Sequence, residues 1–275
     1  MSNSPIFQMP AFSLLSLNTF GLPLFLGWGR LGRLVRQLDR FDVSVICLQE
    51  IQQNAYVPLL LRNLPDYPHH AYEFSWFAPK GGLFTAGRLP FSNSHFTPYQ
   101  NRGQPLSAGI ADWALNKGVL VSKLAVQGRQ IVVMNTHLHA NYRGKWEPGD
   151  SMTRIQLDQV QHLAQMVREQ PEDALVVVCG DFNFPRGTFL YQVLLQEGGL
   201  VDPLAQDSRP TYRPFPLLPS NKWAIPIDFV LLRHPDLSLH AFDADIALIE
   251  DASRTLPHQR FLTDHNALIL RVSWD

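Results

Sequence analysis

Six apolar runs of the sequence end in, lead into or contain side chains that bind cations or move protons. Asn18 closes the first and Glu50 the second, His137 and His139 end a third, and Asp181 and Asn183 follow a fourth. Asp228 lies inside a fifth, and Asp264-His265 precede the last. Hard oxygen donors such as Glu50, Asp264 and the Asn18 amide suit Mg²⁺ or Mn²⁺. Asp228 can hold the His265 ring while the other ring nitrogen takes a proton from water. A divalent cation on Glu50 then neutralises charge developing on a phosphoryl oxygen or leaving group, and Asn18, Asn183 and His137 donate hydrogen bonds to the remaining oxygens. Other chemistries lack their patterns: there is no HExxH or CxxC set for zinc, no GxSxG elbow for a nucleophilic serine and no P-loop lysine.

Each residue also has a plainer role. Asn18, three before Gly21, is a turn former, and residues 180–183 (Gly-Asp-Phe-Asn) fit an Asx-type turn. Glu50 serves equally as a solvated strand end, and His137 as a satisfied core histidine. Asp228 is harder to dismiss, because a carboxylate in an otherwise apolar strand needs a partner.

The elements that must position these groups follow from periodicity. Short apolar runs at 12–17, 43–48, 82–86, 118–124, 131–138, 175–179, 227–232 and 267–272 predict strands, with Gly128 turning a hairpin. Helical spacing appears at 31–38, 55–64, 151–169 and 189–195, the third ended by Pro171 and the last by Gly198-Gly199. Hairpins together with strand-helix alternation predict an α/β fold of two sheets covered by helices on their outer faces. The Pro-rich stretch 203–226 reads as a long surface loop.

The chain has 275 residues, 23 basic against 24 acidic, with 45% hydrophobic and 17% charged residues, and no linker or repeat divides it; one domain over 1–275 is expected. A net charge of −1 argues against holding nucleic acid by bulk phosphate attraction, though not against a local basic groove. Cys47 and Cys179 sit in apolar runs and read as buried free thiols, which favours a cytoplasmic setting; secretion is the alternative. Residues 10–29 carry no charge, yet Ser13, Ser16, Asn18, Gly21 and Pro23 interrupt them and no basic residue precedes them, so neither a membrane span nor a signal peptide is expected.

Seven motifs in order carry a resemblance: residues 17–19 (Leu-Asn-Thr), 47–50 (Cys-Leu-Gln-Glu), 116–118 (Asn-Lys-Gly), 136–140 (Thr-His-Leu-His-Ala), 179–183 (Cys-Gly-Asp-Phe-Asn), 227–229 (Ile-Asp-Phe) and 263–265 (Thr-Asp-His). Through them nearly the whole chain resembles the endonuclease/exonuclease/phosphatase superfamily, and within it the neutral sphingomyelinase branch. The resemblance implies a four-layer sandwich of two packed mixed sheets flanked by helices. It implies that Glu50 and Asn18 bind the principal metal with Asp264 nearby, that Asp181 and Asn183 contact phosphate and the attacking water, and that Asp228 orients His265, the general base. It also implies that His137 hydrogen-bonds a phosphate oxygen. Lys117 stands either against substrate phosphate or as a solvated strand-end lysine.

The function expected is thus a Mg²⁺-dependent phosphodiesterase (Mn²⁺ as the alternative ion) acting on a phospholipid such as sphingomyelin, in peripheral contact with membranes and with no obligate protein partner. Residues 19–28, rich in large apolar groups beside the catalytic rim, read either as a lipid-facing loop or as core beneath it, and Trp113, Trp146, Phe215 and Trp223 are candidates to join such a surface. Within the same superfamily a nuclease or an inositol or nucleotide phosphatase is the alternative. A nuclease calls for clustered cations, and Arg88, Arg102, Lys117, Arg143 and Lys145 are sparse candidates. Outside enzymes, the alternative is a catalytically dead binding scaffold, against which the intact Glu50 and His265 argue.

Overall fold

The computed structural model describes residues 11–21, 27–101, 116–141, 143–213, 224–234, 239–256 and 260–274. Strands β1 (Phe12–Asn18), β2 (Val45–Gln49), β3 (His69–Ala71) and β4 (Phe84–Gly87) lie in one sheet with β10 (Leu239–Ala247) and β11 (Ala267–Trp274), in the order β10-β11-β1-β2-β4-β3. Strands β5 (Asn93–Pro98), β6 (Gly118–Val126), β7 (Arg129–His137), β8 (Leu175–Asp181) and β9 (Asp228–Arg233) form the second sheet in chain order. Both sheets are mixed: β1 runs parallel to β2 and antiparallel to β11, and β7 parallel to β8 and antiparallel to β9.

Alternation along the strands builds three apolar layers. Phe12 and Leu14 of β1, Val45 and Cys47 of β2, and Leu268 and Leu270 of β11 face Ile131, Val133, Val177, Cys179 and Val230 across the space between the sheets. The neighbouring residues of the first sheet, Leu15, Leu17, Ile46 and Leu48, pack beneath helices α1 (Gly27–Leu38) and α2 (Tyr56–Asn63) through Leu31, Leu34, Val35 and Leu60. On the other flank Val132, Val176 and Phe229 pack beneath α3 (Ser151–Arg168) and α4 (Phe189–Gly198) through Val160, Leu163, Leu190 and Leu194. The result is helix, sheet, sheet, helix. Asp150 caps α3 by accepting from Met152 N and Thr153 N, and Gly199 ends α4 in the left-handed conformation that glycine adopts without a Cβ clash.

The expected strands and helices are present with ends shifted by a few residues. The run at 82–86 begins as a 3₁₀ turn at Lys80–Gly82 and becomes strand only at Phe84, and α1 starts at Gly27, ahead of its periodic stripe. Three strands, β3, β5 and β10, escape the pattern reading. β3 has three residues, β5 is largely exposed, and β10 carries Asp243 and Asp245; all are edge strands, where burial on both faces does not write an apolar run. Cys47 and Cys179 are buried free thiols, as expected. Among the described residues no helix is long and apolar enough to cross a membrane.

Candidate active site

Parallel pairing of β1 with β2 and of β7 with β8, with β11 and β9 entering from the opposite direction, brings six strand ends to one edge of the sandwich. Register then aligns the functional residues: Asn18 pairs with Gln49, His137 with Asp181, and Asp181 with Asp228. Asn18, Gln49, Asn135, His137, Asp181 and Asp228 continue the inward-facing rows of their strands, so the space between the sheets is apolar at one end and polar at the other. Beneath the polar end, Gln49 Nε2 donates to Asn135 Oδ1 at 2.8 Å, and Asn135 Nδ2 donates to Leu48 O at 3.2 Å and Phe84 O at 3.1 Å. These buried bonds tie one sheet to the other directly under the site.

The cluster itself is centred on Asp181. Asn18 Nδ2 donates to Asp181 Oδ2 at 2.9 Å and to Glu50 Oε1 at 3.1 Å, bridging two carboxylates. His137 Nε2 stands 3.4 Å from Asp181 Oδ2, and Asn183 N donates to Asp181 Oδ1 at 2.9 Å. Opposite, His265 Nδ1 donates to Asp228 at 2.9 and 3.1 Å, leaving Nε2 at 3.9 Å from both Asp181 Oδ2 and Asp264 Oδ1. Thr263 and Thr211 fix this half: Thr263 Oγ1 donates to Asn18 O and accepts from His265 N, while Thr211 Oγ1 accepts from Asp228 N.

Backbone geometry carries strain here. Glu50, Phe20 and Asn183 adopt φ of 60°, 51° and 56°; Asn tolerates that region, whereas Glu and Phe pay about 1–2 kcal/mol each. Close approach holds the turn in place: a Cβ on Gly21 would lie 1.6 Å from Glu50 O, and one on Gly180, at φ 143°, 1.8 Å from Thr136 O.

Charge is concentrated and poorly solvated. Burial and the neighbouring Asp228 push the Asp181 carboxyl up to about 7, and burial and Glu50 push Asp264 up to about 6, against the pull of His265. Burial alone would lower the His265 imidazole, but the attraction and hydrogen bond of Asp228, with Asp264 and Asp181, lift it to about 10. His137 is driven well below its ordinary value by burial and by Lys117, His265 and His139, so it is a neutral imidazole.

A hard divalent cation fits this donor set. Ligand atoms of Glu50, His137 and Asp181 lie within 4.8 Å of one another, the Asn18 amide touches both carboxylates, His137 Nδ1 is buried without a partner, and burial holds the Asp181 carboxyl above its ordinary range. Asn18, Glu50, Lys117, His137, Asp181, Asn183, Asp228, Asp264 and His265 all lie in or beside this cluster. Of the expected metal set, Glu50 and Asn18 are in contact, while Asp264 stands beside His265 Nε2 and the groups gathered most tightly around Glu50 are Asp181 and His137.

The sequence profile of the Endonuclease/Exonuclease/phosphatase family matches residues 15–265. The chain belongs to this family. It is 24% identical over 271 residues, 94% of the chain, to a putative neutral sphingomyelinase of Drosophila melanogaster, covering 60% of that protein. It is 28% identical over 200 residues to the inositol phosphosphingolipids phospholipase C of Schizosaccharomyces pombe, with coverage of 71% of this chain and 46% of the relative. The chain thus spans 60% or less of the length of these curated relatives. The crystal structure of SmcL has the same fold, with a TM-score of 0.76 at 19% identity, covering 95% of this chain and 99% of its own.

Several supports of this family site were not apparent from the sequence. Lys117 is fully buried, contrary to the reading of a solvated strand end, and its charge acts on His137 and Asp181. Arg30 of α1 donates to Thr19 O at 2.7 Å and also to Phe20 O and Leu262 O, clamping the turn after β1 to the segment before His265. Its partners are backbone carbonyls, which leave no signature in residue types. Gln49 and Asn135 are legible only in hindsight, as amides on inward positions of apolar strands. Trp146, a candidate surface residue, instead donates from Nε1 to Asn183 O and packs on the core. Trp113, Phe215, Trp223, Arg102 and residues 22–26 lie outside the described residues.

Proposed function

We propose that the chain is a divalent-cation-dependent phosphodiesterase that hydrolyses a phospholipid of the sphingomyelin type with a water molecule activated by His265. The observation that carries this reading is the His265-Asp228 pair, whose Nε2 faces the cluster of Asp181, Asp264, Asn18 and His137. Asp228 fixes the ring so that Nε2 receives the proton of an attacking water. Asn18 and Asn183 orient the water and the phosphoryl group, and neutral His137, with the buried Lys117 charge behind it, stabilises a non-bridging oxygen as the new phosphorus-oxygen bond forms and the ester bond opposite breaks. Glu50, Asn18 and Asp181 would hold the cation, Mg²⁺ or Mn²⁺, which when bound supplies Lewis-acid stabilisation of phosphoryl charge.

The lipid assignment rests on the names of the sphingolipid-acting relatives and on the engagement of three of the candidate nucleic-acid cations among the described residues. Arg88 pairs with Asp42 at 2.6 Å, Arg143 with Asp150 at 3.0 Å, and Lys117 is buried. The deciding experiment offers sphingomyelin vesicles, a soluble choline phosphodiester, single- and double-stranded DNA and an inositol phosphate, each with Mg²⁺ and with chelator. Release of phosphocholine is expected, and His265→Ala should lower kcat about 10²–10⁴-fold while leaving the protein folded. Cleavage of DNA alone, or release of inorganic phosphate alone, replaces the substrate while keeping the residues; full activity of His265→Ala removes it as base.

A further inference from the structure

A run of aromatic side chains stands in solvent between β3 and β4. Trp76 is 89% exposed, Phe77 87% and Phe74 66%, more than any other large apolar group among the described residues. Monomeric proteins rarely leave such a cluster uncovered without a surface for it to meet. The loop is nevertheless well held. Asn54 Nδ2 donates to Ser75 O at 2.6 Å and Trp76 O at 3.1 Å, and Asn54 N donates to Phe77 O at 2.9 Å. The aromatic rings are therefore presented outward by a backbone that is pinned from below.

The pin joins the aromatics to the catalytic rim. Asn54 is four residues from Glu50, a backbone span of at most about 14 Å, and Ile51 N, next to Glu50, donates at 2.8 Å to Gly82 O on the far side of the same loop. Half-exposed Trp28 meets the buried Tyr56, two residues beyond Asn54, edge-on at 5.5 Å. Charge selects the occupant. Within residues 71–79 the one charged side chain is Glu73, and Lys80 neutralises it at 3.2 Å. A neutral aromatic edge offers no electrostatic attraction to a polyanion or an acidic membrane, while Trp and Phe partition into the headgroup region of a zwitterionic bilayer through their rings alone.

We propose that Phe74, Trp76 and Phe77 form a membrane-docking edge that seats the Glu50 side of the active site on a zwitterionic phospholipid surface. This deepens the lipid reading above and rests on it for its purpose, though not for its measurement. The test is flotation of the full chain with phosphatidylcholine vesicles that contain no sphingolipid, comparing wild type, Phe74→Ala, the double variant W76A/F77A and the exchange W76F/F77W.

Wild type and W76F/F77W should float alike. W76A/F77A should lose at least about tenfold in partition coefficient, with Phe74→Ala between them. Hydrolysis of a soluble phosphodiester by W76A/F77A should stay within about twofold of wild type, because these side chains pack on nothing in the fold. Equal flotation of wild type and W76A/F77A overturns the proposal, as does absence of flotation of the wild type. Binding of single-stranded DNA that the double variant loses while vesicle binding is unchanged also overturns it, in favour of base stacking on the rings. Docking that depends on the aromatics without cleavage of sphingomyelin leaves this edge standing and removes the lipid substrate. Cleavage of sphingomyelin with aromatic-independent docking does the reverse.

Discussion

His265 and Asp181 show how far single residues in this site depart from their free behaviour. With His265 lifted to about 10 and Asp181 and Asp264 to about 7 and 6, the cation-free cluster holds protons at neutral pH that a bound divalent ion must displace. Ligands have to be deprotonated to bind, so Mg²⁺ affinity measured by calorimetry should rise with pH between about 5 and 8, by about tenfold per pH unit for each proton released. Proton uptake by the buffer should show the same release, and a pH-independent affinity would place the ion away from these acids. Glu50 adds a second conflict, since its carboxylate is held by a left-handed backbone at φ 60°. Glu50→Gly should therefore raise the unfolding free energy of the cation-free protein by about 1 kcal/mol while weakening Mg²⁺ binding, as titration calorimetry and denaturant melts can check together. The gathering of Asn18, Asp228 and Asp264-His265 is legible in residue type, since carboxylates and amides ending apolar strands have few uses. Lys117 is not, because a lysine before a strand looks the same in sequence whether its ammonium is buried or solvated.

At the level of elements, periodicity gave up the strands that are buried on both faces and the helices with one apolar stripe. β1, β2, β7, β8, β9 and β11 each carry a continuous apolar run because they are covered from both sides. β3, β5 and β10 are edge strands less fully covered than β9, the fourth edge, and the order of strands in each sheet is set by long-range pairing that local pattern does not encode. Of residues 19–28, Thr19 and Gly21 are buried beneath the rim and Trp28 lies in the first turn of α1, whereas the apolar surface that the structure displays sits after β3, where a short run of aromatics had no periodicity to mark it. Arg30 belongs to this scale, because it fastens a helix to two loops. Arg30→Met keeps the aliphatic volume and removes the donors to three carbonyls. It should lower stability by about 2–4 kcal/mol and reduce kcat more than Mg²⁺ affinity, since Leu262 adjoins the segment bearing His265; equal activity at a temperature where both proteins are folded would leave Arg30 a structural role only.

For the whole molecule, the amide bridge between the sheets is the feature that makes one active site of two halves. Asn135→Ala removes the donor to the Leu48 and Phe84 carbonyls and leaves the Gln49 amide with Ser16 Oγ and Cys47 O on its own sheet. The loss should be about 3 kcal/mol, seen as a lower denaturant midpoint with a single transition, because both sheets share one inner core. Two separate transitions would mean that the sheets unfold independently.

That sharing has a consequence in time. Thr263 Oγ1 bonds Asn18 O across 245 residues of sequence, and β11 inserts between β10 and β1 in the interior of its sheet. A ribosome emitting this chain has already added Asn18, Glu50, His137, Asp181 and Asp228 before His265 exists, so the growing polypeptide carries most of the clustered acids and amides without the imidazole that Asp228 holds. Long-range strand pairing is slow to form, and on refolding from denaturant the recovery of catalysis should trail the recovery of helical signal. The candidate site is thus incomplete until β11 has joined its sheet.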